Sequence, residues 1–239
     1  MDKQHPLQGT KIAMRRLFKY DIKEIMECFA DYDGLFFNPV TTEFVGSIFL
    51  CGEFWGAFAG DTIVAAAYIH PFDCEISRRE VRYSLLCDFI YTPSQYLSLG
   101  YIGFHRSNIE KLIAPGQQSA VKNGLYSGFL NIAEMQAFRQ GYSRILHCMP
   151  LKTGFDLAPL FAGGFSLVKL RGLEKLVVHY IFCKDIFARK NSIQKGESTA
   201  VALGNTKALS AFLENEYYGC DILKDGSETV LLLKQSVTD

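Results

Sequence analysis

The order of predicted strands and helices is the feature that most constrains how this chain folds. Apolar residues at i, i+3, i+4 and i+7 begin at Ile22 and predict a helix. The turn signal Gly60-Asp61 lies between two apolar segments, 53–59 and 62–69, which predicts a hairpin. The full predicted order is β-α-α-β-β-β, a long loop, α-β-α-β-β, and then a linker followed by α-β-β. We therefore predict a mixed α+β fold with one parallel crossover in the middle.

The middle of the chain contains a long apolar segment followed by a long irregular one. Residues 81–91 are almost all apolar and predict a fourth strand that is buried on both faces. Residues 93–123 carry Gly100, Gly103 and Pro115 and predict a loop with at most a short helix. Connections this long are usually functional. One hypothesis is therefore that the chain is an α+β enzyme whose active site lies in this loop.

The balance of charge excludes some partners. Lys and Arg number 25, Asp and Glu number 25, and the net charge is zero. We therefore predict no nucleic-acid partner and no attachment to an anionic membrane. No apolar stretch reaches the ~20 residues of a membrane helix, and the polar segment 1–10 lacks a hydrophobic signal region. We expect a cytoplasmic protein.

The cysteines do not indicate a metal site. There are seven, and no two of them lie within four positions of each other. Zinc sites and disulfide frameworks of small secreted domains need closer or paired spacings. We predict no metal and a reducing compartment.

Three stretches resemble one known family. They are GEFWGAFAGDTIVAAAYI (52–69), NGLYSGFLNIAEMQAFRQGYSRILHCMP (123–150) and APLFAGGFSLVKL (158–170). Together they resemble the second and third strands, the pyrophosphate loop with its helix and fifth strand, and the fourth helix with the sixth strand of the GNAT superfamily of acyl-CoA N-acyltransferases. The resemblance covers about residues 11–186, with an insertion at about 94–120. Residues 187–239 would form a linker and an αββ extension, which could make a homodimer interface or add strands to the sheet.

The resemblance implies a fold and a reaction. The fold is a central, mostly antiparallel sheet whose fourth and fifth strands splay apart, with helices on both sides. The reaction transfers an acyl group from acyl-CoA, most simply acetyl-CoA, to an unidentified small amine, amino acid or peptide amine. The amine attacks the thioester directly in a ternary complex. The acceptor would enter between the early helices and the last hairpin of the family domain.

The resemblance also implies which residues bind the cofactor. The pantetheine would pair with the fourth strand, and the diphosphate would lie at a helix N-terminus, where backbone N–H groups and the helix dipole favour an anion. Two further positions depart from the family, which has an asparagine after the fifth strand and a tyrosine near the Gly-Phe pair. The implied set is Phe89, Ile90 and Tyr91 for pantetheine, Lys122, Asn123, Gly124, Leu125, Tyr126 and Ser127 for the diphosphate, and Thr153 and Phe161 at the departing positions.

Two residues are candidates for proton transfer. By analogy Asp88 on the predicted fourth strand is the base that deprotonates the acceptor, and Glu53 is the alternative. The tyrosine that protonates the leaving thiolate in the family is replaced by Leu160 with Phe161 beside it, and Tyr126 is the substitute candidate. His147 and His179 lie among apolar residues and are interpreted as core histidines, although His179 could face the acceptor.

These departures keep a second hypothesis open. The family loop begins with a basic or amide residue and ends with a small one, but this chain has Val121 and Tyr126 there. The chain could therefore be a non-catalytic binding or sensing module with a degenerate CoA site.

Overall fold

The computed structural model describes residues 12–30, 41–74, 92–150, 157–173, 177–187, 197–225 and 228–235. Ten strands form one continuous sheet in the order β1-β2-β3-β4-β5-β7-β6-β9-β10-β8. β4 and β5 are parallel, and every other described pair is antiparallel. This confirms the predicted mixed fold with its single parallel crossover. The strands are β1 Ile12–Leu17, β2 Glu53–Ala59, β3 Thr62–Pro71, β4 Tyr96–Phe104, β5 Arg144–Pro150, β6 Ser166–Leu173, β7 Val177–Asp185, β8 Ser198–Ala202, β9 Tyr217–Asp225 and β10 Glu228–Gln235.

Six α-helices cover the two faces of the sheet within the described residues. They are α1 Ile22–Phe29, α2 Thr42–Cys51, α3 Arg106–Leu112, α4 Gln118–Gln140, α5 Ala158–Ala162 and α6 Thr206–Glu214. α1 and α2 enclose an aromatic cluster on one face, around Phe54 and Tyr68. α4 lies on the other face over β4 and β5, and its apolar side joins the larger core. Among the described residues, no helix is both long and apolar enough to cross a membrane.

The position of the fourth strand corrects the sequence analysis. β4 is formed by Tyr96–Phe104, which pairs with β3 on one side and β5 on the other. The segment 94–120 is therefore not an insertion, because it contains β4, α3 and the start of α4. Gly100 and Gly103 suggested a loop in this segment, but in the structure they are needed because a larger side chain would not fit at either position. A Cβ at Gly100 would lie 2.2 Å from the Tyr68 ring, and one at Gly103 would lie 2.6 Å from the carbonyl oxygen of Cys28. The predicted strand at 81–91 lies outside the described residues.

The C-terminal extension adds strands to the sheet, one of the two roles left open for it. β9 joins β6 through a single paired position, Leu167 with Gly219, and β10 and β8 continue the sheet outward. The unit is βαββ rather than αββ, because β8 begins at Ser198, where the sequence favoured a linker. α6 packs on β6 and β9 and buries Leu209, which holds the extension against the main sheet.

Candidate active site

A fork between β4 and β5 is the main structural feature of the candidate site. The two strands pair from Tyr96 with Arg144 up to Leu99 with His147, and then their pairing stops. Beyond that point, within the part of the chain that the structure describes, β4 is paired with β3 and β5 with β7. A bulge accompanies the separation, because Gly100 and Tyr101 together lie opposite one residue of β3. The fork therefore opens toward the carboxyl ends of both strands.

A chain of hydrogen bonds closes the inner end of the fork. His147 Nδ1 lies 3.0 Å from the carbonyl oxygen of Leu99, its partner across the strands. Because a carbonyl oxygen only accepts, Nδ1 carries the hydrogen and Nε2 is left as an acceptor. The hydroxyl of Tyr126, on α4, therefore donates to His147 Nε2. The imidazole thus takes the place of the next backbone hydrogen bond between β4 and β5, and it holds the tyrosine hydroxyl at the fork.

This polar pair lies in an apolar environment. Tyr126 is 6% exposed and His147 is 2% exposed. The Tyr126 hydroxyl is also 3.9 Å from Met149 Sδ on β5. Since buried polar groups are costly without partners, the two side chains depend on each other. His147 was interpreted from sequence as a core histidine, and the structure shows in addition that it bonds a candidate catalytic residue.

Charged groups surround the open end of the fork. The Lys122 ammonium lies 5.6 Å from the centroid of the Phe104 ring, at the end of β4. The next residue, His105, places Nε2 3.0 Å from a Glu27 carboxylate oxygen on α1. An open groove of about 710 Å³ runs beside Glu27, lined by one face of α1 and by Thr42. A ligand entering the fork would therefore pass Lys122 and a partly apolar groove whose charged residues are Lys23 and Glu27.

The predicted phosphate-binding loop is instead part of a helix. α4 begins at Gln118, so Lys122 through Ser127 lie within its first three turns. Backbone N–H groups at those positions are used by i to i−4 hydrogen bonds, which leaves the helix's unsatisfied donors nearer residues 118–120. A Cβ at Gly124 would meet nothing within 4 Å, so close backbone approach does not explain that glycine. The prediction of a loop at 121–127 was wrong, although the Lys122 side chain still reaches the fork.

Other predicted site residues lie in different places. Asp88, Phe89, Ile90, Tyr91 and Thr153 are outside the described residues, so their roles stay predictions.

The side chains of Phe161 and Glu53 are engaged in contacts with other residues. The Phe161 ring packs edge-on against Phe182 at 5.7 Å. The Glu53 carboxylate accepts a hydrogen bond from Trp55 Nε1 and lies 3.5 Å from Arg16. Glu53 is in register with His147 but three strands away, about 14 Å at the usual strand spacing.

Solved structures share this architecture. A candidate acetyltransferase from Acinetobacter baylyi superimposes with a TM-score of 0.54 at 11% identity, covering 75% of this chain and 94% of its own. A candidate acetyltransferase from Salmonella typhimurium, solved with its cofactor acetyl-CoA, has a TM-score of 0.52 at 10% identity and covers 75% and 96%. A probable acetyltransferase from Staphylococcus epidermidis has the same TM-score and identity and covers 73% and 99%. No protein-family model and no curated protein matches the sequence.

The fold is therefore that of the GNAT acetyltransferases. Identities near 10% show that this chain has diverged far from the solved examples.

Proposed function

We propose that this chain is an acyl-CoA-dependent N-acyltransferase that uses acetyl-CoA as its donor. The observation that carries the proposal is the fork between β4 and β5, with its bulge at Gly100 and Tyr101. Sheets rarely open between two central strands, because each unpaired backbone group loses a hydrogen bond. An opening of this kind fits an extended ligand that supplies those hydrogen bonds itself, as the amide-containing pantetheine arm does.

The residues present fit such a donor. The pantetheine arm would lie along β4 beyond Leu99, where none of the described strands pairs on the β5 side. The diphosphate would lie toward the start of α4, where the helix dipole and Lys122 both favour an anion. The thioester end would then reach the inner end of the fork, beside Tyr126 and His147.

Tyr126 and His147 are proposed to assist the departure of the CoA thiolate, the leaving group. The thioester supplies an activated acyl carbon, which the acceptor amine attacks directly. We assign to the Tyr126 hydroxyl the transfer of a proton to the sulfur as the C–S bond breaks. His147 is the positioning residue, because its Nε2 fixes the hydroxyl at the fork. A thiol of pKa about 8.5 is a good leaving group, so this assistance accelerates the reaction without being essential.

The acceptor is proposed to be a small amine, an amino acid or a peptide amine. The groove beside α1 is the proposed acceptor site, and its Glu27 carboxylate, now 3.0 Å from His105 Nε2 and 4.0 Å from Lys23 Nζ, would exchange these partners for the acceptor ammonium. The base that takes the proton from the ammonium stays assigned to Asp88 as a prediction. The zero net charge gives no support to a polyanionic, nucleic-acid-bound acceptor.

One observation favours a non-catalytic binding module as the second candidate. The buried Tyr126–His147 pair occupies the inner end of the fork. Leu160 and Phe161 stand where the family has its catalytic tyrosine, and Leu160 is fully buried. A chain with this fork could bind CoA or a related ligand and transfer nothing.

Ligand-dependent melting followed by thiol release distinguishes the two candidates. Acetyl-CoA at about 100 times its dissociation constant should add about 2.7 kcal/mol, or roughly 5–11 °C in melting temperature for a chain of this size. A melting shift with thiol release from an amine panel supports the transferase. A shift with no release supports the binding module, and no shift at millimolar ligand contradicts both.

Tyr126→Phe tests the assigned role. We expect turnover to fall by about 100-fold while the acetyl-CoA melting shift is retained. Tyr96→Phe is the matched control, since Tyr96 lies at the paired start of β4 and should leave turnover unchanged. Equal turnover in both variants would remove Tyr126 from the mechanism.

A further inference from the structure

Two thiols and an imidazole meet at the carboxyl end of β3, where it adjoins the start of β4. Cys51 Sγ lies 3.3 Å from Cys74 Sγ, and the two sulfurs are not bonded. Cys74 Sγ is also 3.6 Å from Nδ1 of His70. Both cysteines are partly exposed, so a small solute can reach them. The sequence did not suggest this pair, because 23 positions separate the two cysteines.

The local backbone brings the thiols together. Cys51 is the last residue of α2, and Gly52 continues the chain in an extended conformation. A Cβ at Gly52 would lie 2.4 Å from the carbonyl oxygen of Ile69 and 2.7 Å from His70 Cβ. Glycine therefore lets the end of α2 pass directly against β3. The turn after β3 then places Cys74 against Cys51.

The hydrogen bonds make the two thiols unequal. His70 Nδ1 lies 2.9 Å from the carbonyl oxygen of Pro71, which only accepts, so Nδ1 carries a hydrogen. The same N–H is shared between this oxygen and Cys74 Sγ, 3.6 Å away, and the Cys51 thiol donates to that sulfur as well. Two donors thus face the sulfur of Cys74. These contacts favour Cys74 as the sulfur that attacks first.

Two other described cysteines, Cys28 and Cys183, have surroundings that suppress reactivity. Cys28 is fully buried, and burial raises the pKa of its thiol far above the usual range. Burial raises the pKa of Cys183 to about 12.

Tyr142 lies beside the Cys51–Cys74 pair. Burial, and then the nearby Cys74 and Cys51, raise the pKa of this phenol. Among the described residues, no group of three or more His, Cys, Asp or Glu side chains is placed to hold a metal ion.

We propose that Cys51 and Cys74 are a redox modification site, a dithiol that hydroperoxides oxidise reversibly to a disulfide. With hydrogen peroxide, the Cys74 thiolate attacks one oxygen, the O–O bond breaks, and Cys74 becomes a sulfenic acid while the departing hydroxide takes a proton from solvent and leaves as water. An organic hydroperoxide releases an alcohol at this step instead. The sulfur of Cys51 then attacks the sulfur of Cys74, the S–S bond forms, and a second water leaves with the Cys51 proton. Two thiols lose two electrons to one peroxide. Closure needs the sulfurs to approach by only about 1.2 Å, from 3.3 Å to a disulfide length of about 2.05 Å.

Peptide mapping of the intact chain tests this proposal. The reduced protein is treated with hydrogen peroxide, blocked with a maleimide and digested without reductant. Cleavage after glutamate is needed, because no Lys or Arg lies between positions 24 and 77, whereas cuts after 43, 53 and 75 separate the two cysteines. We expect peptide 44–53 linked to peptide 54–75, with the link removed by dithiothreitol. Cys28 and Cys183 should stay unoxidised at the same dose.

Variants identify which thiol reacts first. In Cys51→Ser, a dimedone adduct should appear on Cys74, whereas in Cys74→Ser Cys51 should stay unmodified. His70→Leu should slow oxidation of Cys74 by about three- to tenfold, the effect of losing one weak hydrogen bond. His70→Asn should slow it less, since the amide keeps a donor near the position of Nδ1.

Three outcomes would overturn the proposal. A link from Cys74 or Cys51 to Cys87 or Cys28 would assign the chemistry to another pair. The absence of both the 51–74 link and the Cys74 adduct would mean that the thiols are inert. Oxidation only at doses that also modify Cys28 would mean that the site is not selective. None of these measurements depends on acyltransferase activity.

Discussion

The two halves of strand β4 differ in how many neighbouring strands they pair with. From Tyr96 to Leu99 the strand has a partner on each side, and its side chains pack into the core. From Gly100 to Phe104 its one described partner is β3, and no described strand pairs on the side toward β5. The first half joins the two parts of the sheet, and the second half gives up backbone pairing that a ligand can restore. Within the nine residues of β4, the first half thus contributes to stability and the second half to the proposed function.

Beside each half a tyrosine is bonded to a side chain of β5, Tyr96 from β4 itself and Tyr126 from α4. Both tyrosines are buried, but their partners differ in exposure. At the paired end, Arg144 donates to the Tyr96 hydroxyl at 2.7 Å, and the arginine side chain is 44% exposed. At the fork, Tyr126 donates to His147, which is 2% exposed. Water can replace the first hydrogen bond but not the second. The same chemical change should therefore cost far more at the fork than at the paired end.

The largest expected effect is that of Gly100→Ala, at the junction between the two halves. The added Cβ would meet the Tyr68 ring at 2.2 Å. Tyr68 is 1% exposed and is held between Phe54 and Phe44, so the ring has no room to retreat. Overpacking of this kind should lower the free energy of unfolding by about 3 kcal/mol, measured by urea denaturation.

Gly46→Ala is the control for that substitution. Its Cβ would meet nothing within 4 Å, and it lies inside α2, so alanine should be neutral or stabilising. Similar unfolding midpoints for the two variants would contradict the tight junction between β4 and Tyr68.

Much of the fold could be predicted because its elements are local. The β2–β3 hairpin has a Gly-Asp turn between two apolar runs, and it was predicted almost to the residue. β4 was missed because Gly100 and Gly103 are strand breakers in sequence terms. In the folded chain they make room for Tyr68 and for the end of α1, and this requirement exists only once the layers have packed. α4 was predicted seven residues too short at its start for the related reason that Gly124 was taken as part of a loop.

The candidate site was predictable only in part. Tyr126 was named from its place in the expected loop, and it does reach the fork, but from inside a helix. Its partner His147 lies 21 positions away, and their contact depends on the parallel pairing of β4 with β5. Nothing in a lone histidine within an apolar strand indicates such a partner.

Tyr126→Phe should have the next largest effect on stability. The phenylalanine ring keeps the packing but leaves His147 Nε2 buried without the hydroxyl that now bonds it. An orphaned buried acceptor should cost about 1–3 kcal/mol in urea unfolding. A loss below about 0.5 kcal/mol would mean that water reaches the fork, and the closed inner end described here would be wrong.

Gly124→Ala should raise stability by about 0.5–1 kcal/mol, because it replaces a glycine inside the helix that lies over the open half. The added methyl group meets nothing in the structure. Acetyl-CoA binding, measured by calorimetry on the same variant, should change little. A large loss of affinity would instead support the original prediction that the backbone at this glycine contacts the diphosphate.

The smallest expected effect is that of Tyr96→Phe, at the paired end of β4. Losing the hydroxyl leaves Arg144 with its solvent contact and with Asp185, 3.7 Å away, so the cost should be about 0.5 kcal/mol. Measured by the same urea method as Tyr126→Phe, the two values give the contrast directly. A ratio of at least two between them is expected if burial decides the cost of the lost hydroxyl. If the two substitutions cost the same, the exposure of the partner does not decide the cost, and water would have to reach His147 as it reaches Arg144.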